Sequence, residues 1–126
     1  MHLWNTLIDT SVLLKRSKLM ELKYQKHISR ILKNHVSVSS YVKCMLKKKK
    51  KTCKNGMYFT VNKFPYDLED NVMHFLLWNT KKKSKDDCLN YLKKYIDHNF
   101  WEMCLRENKK ENRSVPDIMH YHVFVR

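Results

Sequence analysis

Two histidines one residue apart, His120 and His122, sit in the C-terminal stretch IMHYHVFVR, and a third, His74, sits in VMHFLLW. In an extended strand His120, His122 and Phe124 project to one face, with Tyr121, Val123 and Val125 on the other. Same-face imidazoles roughly 7 Å apart can bite one metal ion, with His74 as a third ligand. They can also let one act on a phosphate while its neighbour orients it. The bland reading is a strand whose histidines are hydrogen-bonded within a structural or RNA-facing surface, and we take that as the expectation. Catalysis by His122 and His120, or a metal at His74, His120 and His122, stands as the alternative. Asp67, Glu69 and Asp70 share one turn, where acids are ordinary, and no Ser-His-Asp order, Walker loop or paired-carboxylate motif accompanies them.

The elements that must position these histidines follow from periodicity. Residues 3 to 14 place apolar side chains at 3, 4, 7, 8 and 12, which draws one helical stripe. Ser17 caps a second helix in which Tyr24, Ile28, Ile31 and His35 share a face and the basic residues look outward. Residues 36 to 46 read equally as strand or helix. MYFTVNKF and VMHFLLW read as strands, the latter ending near Trp78, and FPYDLEDN as the turn between them. Ser84 and Asp87 form a capping box for a helix from 85 to about 105, striped by Leu89, Leu92, Ile96, Phe100 and Met103. The sum is an α+β fold: N-terminal helices packed on a small, mainly antiparallel sheet, with one long helix before the last strand. We expect a single domain over 1–126, mainly helical over 1–46 and strand-strand-helix-strand over 57–126.

Charge is the strongest compositional signal. In 126 residues, 26 Lys and Arg oppose 12 Asp and Glu, a formal net charge of +14. Each phosphate neutralised by such a surface releases a counterion, so the expected partner is nucleic acid. Lys47 to Lys51 with Lys54, then Lys81, Lys82, Lys83 and Lys85, then Lys109, Lys110 and Arg113 fall in predicted loops; Arg126 adds a charge at the C-terminal end. Three basic loops around one domain suit phosphate contacts better than base reading. Cys44, Cys53, Cys88 and Cys104 contain no C-x-x-C pair, which predicts buried free thiols rather than a zinc ribbon or disulfide framework. No apolar run reaches the roughly 18 residues of a membrane span. The expectation is a soluble, cytoplasmic protein that is monomeric when free, with no cofactor and no small-molecule substrate.

Two resemblances sharpen this. Histidine-triad nucleotide hydrolases carry His-x-His-x-His on a terminal strand; His120 and His122 match the first two, but Phe124 stands at the third, and a chain with one glycine has no glycine-rich phosphate loop. That resemblance implies a nucleotide hydrolase or transferase. NKFPY, VMHFLLWNTK and NRSVPDIMHYHVFVR resemble, in order and approximate spacing, a eukaryotic family of unknown function whose fungal members include N-acetylglucosamine-induced proteins. Asn62, Pro65, Tyr66, His74, Trp78, Ser114, Val115, His120, His122 and Val123 match its pattern. Arg16, Glu21, Tyr24 and Tyr41 are similar to the family's N-terminal helical part, which tips residues 38 to 46 toward helix. The departures are LRENK, in place of an aromatic stretch, and Arg113, in place of a glutamine. This compact, Lys- and Asn-rich version of the pattern looks microsporidian and resembles the ribosome-bound dormancy factors of spores. The resemblance implies a non-enzymatic factor that occupies the tRNA exit site, binds ribosomal RNA and proteins, and keeps idle ribosomes inactive.

Overall fold

A computed structural model describes residues 1–49, 55–108, 113 and 115–126. The first helix, α1, is a single turn, Trp4–Leu7. A helix running to residue 14, as the apolar stripe predicts, does not form. Asp9 instead accepts hydrogen bonds from the Ser11 amide, at 3.0 Å, and the Ser11 hydroxyl, at 2.6 Å, a local turn that competes with helix. Ser17 caps α2, Lys18–Asn34, by accepting the Met20 amide hydrogen. Ser37 does the same for the Ser40 amide at the start of α3, Val38–Lys48, which resolves the ambiguous stretch as helix. Lys47 and Lys48, expected in a loop, form the last turn of α3, where cations complement the helix dipole.

The strands follow as β1, Met57–Val61, and β2, Met73–Asn79. The Asn-Gly turn ahead of β1 is real: Asn55 and Gly56 have φ of 57° and 75°. Next comes α4, Lys85–Leu92, capped by Ser84 through the Asp87 amide. The helix expected to reach about residue 105 stops thirteen residues early, by the difference between 105 and 92. Asp97 accepts the Asn99 amide hydrogen at 2.9 Å in a turn, and residues 103–106 become strand β3, Met103–Arg106. Backbone pairing with the last strand, β4, His120–Val125, decides this: Met103 lies opposite Val125 and Arg106 opposite His122. Leu89, Ile96 and Met103 of the predicted stripe still reach the core, whereas Phe100 is 82% exposed.

The sheet is fully antiparallel in the order β1-β2-β4-β3. The α+β class, with N-terminal helices and an antiparallel sheet, is therefore the observed one. Alternation sends Leu77, Leu105, Tyr121, Val123 and Val125 to one face, against Cys88, Tyr91 and Leu92 of α4. On the other face Phe124 packs with Trp4, Leu7 and Leu14, while Trp78 packs with Val42 and Leu46 of α3. Among the described residues no helix is long and apolar enough to cross a membrane. Cys44, Cys88 and Cys104 are free thiols; Cys53 lies outside the described residues.

Candidate functional site

The helical-side face of the sheet carries the histidines. Antiparallel register sets Leu76 beside His122 and Trp78 beside His120, with His74 one step further along β2, opposite Phe124. The three imidazoles are buried, with His120 the most accessible at 9%. His74 Nε2 lies 2.8 Å from His122 Nδ1.

One unambiguous donor orders this network. The Tyr66 amide donates to His74 Nδ1 at 3.2 Å, so that nitrogen is an acceptor and the neutral ring carries its proton on Nε2. His74 then donates to His122 Nδ1, which puts the His122 proton on Nε2, so the Asn108 side-chain amide 3.1 Å away must turn its oxygen rather than its NH2 toward it to accept that proton. Asn108 also lies 2.9 Å from the Tyr66 hydroxyl, which closes a ring of contacts. Asn62 lies 3.3 Å from His74 Nε2, and its carbonyl oxygen accepts the Phe64 amide hydrogen at 2.8 Å. Burial, then the Arg16 charge, push His74 down to about 3. Burial holds His122 well below its ordinary range, with the neighbouring histidines and arginines adding to the effect. Both rings are therefore neutral near pH 7.

This geometry decides what the histidines can do. His122, the candidate nucleophile, has both ring nitrogens inside the network and presents neither to a phosphate. Two nitrogens each about 2.0–2.1 Å from a tetrahedral zinc stand about 3.3 Å apart, wider than the 2.8 Å hydrogen bond that joins His74 to His122. Among the described residues no group of three His, Cys, Asp or Glu is placed to hold a metal ion. Of the alternative set His74, His120 and His122, the first and last are hydrogen-bonded to each other, and His120 Nδ1 donates to the Ile118 carbonyl, just ahead of β4, at 2.9 Å. Asn62, Tyr66, His74 and His122 do converge, from three separate segments. Pro65 lies in the turn that delivers Tyr66, and Trp78 and Val115 are core. Ser114 lies outside the described residues, as do Lys50, Lys51, Lys54, Lys109 and Lys110.

A groove of about 480 Å³ opens between the α2–α3 pair and this face, lined by Trp78, His120 and His122 from the sheet and by Tyr24, His27 and Tyr41 from the helices. Of the predicted phosphate contacts, Lys47, Lys48, Lys49, Lys81, Lys82 and Lys85 are exposed and Lys83 is half-buried. Arg113 and Arg126 are already engaged: Arg113 donates to Glu107 at 2.8 Å and to the Asn108 carbonyl at 2.6 Å, and Arg126 pairs with Glu102 over the Trp4 ring. A stronger basic feature lies on a helix rather than in a loop. Lys23, Lys26, Arg30 and Lys33 recur at helical spacing along the outer side of α2, all exposed and, among the described residues, none ion-paired. The basic spacing was legible; the lack of carboxylate partners was not.

A family model described as a protein of unknown function, DUF3605, matches residues 5–126. Among solved structures, one described as the crystal structure of HTC1 is similar, with a TM-score of 0.64 and 22% identity, covering 99% of this chain and 85% of that one. That likeness shows the fold alone. No curated protein matches the chain.

Proposed function

Because the chain belongs to the DUF3605 family, whose function is unknown, we propose its role from its own surface: a ribosome-binding dormancy factor that holds ribosomal RNA through basic side chains, occupies the tRNA exit site and keeps idle ribosomes inactive. The observation that carries this reading is the exposed stripe Lys23, Lys26, Arg30 and Lys33, which makes no ion pair among the described residues. At a rise of about 1.5 Å per residue it forms a rigid ladder roughly 15 Å long. A preordered helix neutralises phosphates without the ordering cost a flexible loop incurs, and the exposed Lys81, Lys82 and Lys85 widen the footprint. Steric occupation of a ribosomal site needs shape and charge rather than turnover. The resemblance to the ribosome-bound dormancy factors of microsporidian spores supports the ribosome, within the cytoplasm, as the polyanion concerned.

The test is co-sedimentation with ribosomes across a salt series, with the wild type against a triple Lys26→Glu, Arg30→Glu, Lys33→Glu variant. The wild type should pellet at moderate salt. The variant should fall off at lower salt, with a slope of log affinity against log salt shallower by roughly 2 to 3. A wild type that stays in the supernatant even at low salt sinks the reading.

A further inference from the structure

The groove beneath α2 and α3 has three properties that together describe a ligand. Its walls are aromatic: Tyr58 and Trp78 lie side by side on β1 and β2, the Trp78 ring 4.6 Å from that of His120, and Tyr41 lines the groove from α3. Its lining contains the cations Arg16, which is paired with Glu21 at 3.4 Å, Lys49 and Lys63, and no Asp or Glu among the described residues. It also contains one acceptor without a protein partner among the described residues. Because His120 Nδ1 donates to the Ile118 carbonyl, the neutral ring leaves a lone pair on Nε2. Burial keeps this ring neutral, as its lowered pKa reflects. His27 is likewise held down, first by burial and then by the Lys63 and Arg30 charges, so that end of the groove is electropositive.

These properties are laid out in order along the strands. Tyr58, Trp78 and His120 form one cross-strand row, and Asn62 and His74, next to Lys63, form another four residues along. The two rows are separated by about 13 Å. A cavity of about 480 Å³ lies within the ordinary range for a small-ligand site.

We propose that this groove binds one nucleotide, its base against Tyr41 and Trp78 with an N–H donating to His120 Nε2, and its phosphate at Lys63. A flat, anionic ligand with a ring N–H or amino donor satisfies the aromatic walls, the cations and the acceptor at once, and a nucleotide is the chemical class that carries all three. The ligand has two sources, a free mononucleotide or one unstacked nucleotide of single-stranded RNA. The site stands apart from the outer stripe of α2, so it does not rest on the ribosome reading.

Quenching of Trp78 fluorescence reads occupancy, with AMP, GMP and a single-stranded RNA hexamer as probes and Trp78→Phe as the signal control. Lys63→Glu changes an exposed residue, and Tyr41→Leu keeps an apolar side chain in the wall; circular dichroism confirms that each folds. Saturable quenching by AMP or GMP, weakened at least about fivefold in both variants and unchanged by Lys94→Glu, at an exposed position after α4, assigns the groove to a free nucleotide. The same pattern for the hexamer, with mononucleotides weak, assigns it to RNA. Absence of saturable quenching by all three probes overturns the proposal, and so does quenching that ignores both Lys63→Glu and Tyr41→Leu.

Discussion

On one face of the sheet Leu77, Val123 and Leu92 pack in mainly apolar company, with Tyr91, Tyr121 and Asn79, the last in contact with Cys88; on the other, the polar His74, His122, Asn62 and Arg106 are also buried. The same strand, β4, supplies both sides, three side chains to each. The dry face is held by apolar burial, which has no preferred direction. The wet face is held by directed bonds that fail if one partner is missing. Arg106 shows the cost of this choice. It donates to the carbonyls of Thr6, Asp9 and Val12, clamping the N-terminal segment to β3, and yet its Nε has no partner among the described residues.

Three substitutions break or sharpen this contrast. Leu77→Ala on the dry face, at a fully buried position, should lower unfolding free energy by about 2–5 kcal/mol in urea titration, with no change in its dependence on pH between 5 and 7. His122→Leu on the wet face should lose about 1–3 kcal/mol, because His74 Nε2–H and Asn108 are left facing an apolar group. It should also flatten the pH dependence. His74 is depressed to about 3 in the folded state and His122 well below its ordinary 6.5, so below 6.5 the unfolded chain binds more protons. Their contribution to stability is therefore complete above about pH 6.5 and is lost as pH falls toward 3. Urea midpoints for the wild type should drop on acidification from 7 to 5, and the drop should be smaller in His122→Leu. An equal drop in both would place the acid sensitivity elsewhere. Ser84→Ala is the mildest: loss of the α4 cap should lower stability by about 1 kcal/mol and leave nucleotide quenching of Trp78 unaltered, since α4 lies across the sheet from the groove.

Local pattern was enough wherever a residue's fate depends on near neighbours. Ser17 and Ser84 announced their helices through caps three residues long, and the alternation in HYHVFV placed His120, His122 and Phe124 on one face, as observed. It failed where distant groups intervene. Phe100 and Met103 continue a helical stripe, but the bonds available to residues 103–106 come from β4, some twenty residues on, and the strand wins. The apolar stripe of residues 3 to 14 was overruled in part by Arg106, nearly a hundred positions away. His74, the third residue of the alternative metal set, lies on a different strand from His122, and the fold brings the two rings within a 2.8 Å hydrogen bond.

By itself the sequence determined a strongly basic chain, its α+β class, the faces of β4 and the outward basic side of α2, because composition and short periods set these without reference to the rest of the fold. Only the tertiary structure decided that His74 meets His122, that Arg113 and Arg126 are held by carboxylates while the α2 stripe is not, and that an aromatic groove lies over His120. Hydrogen-bond partners and cavities are made between segments far apart in the chain, so no local window contains them.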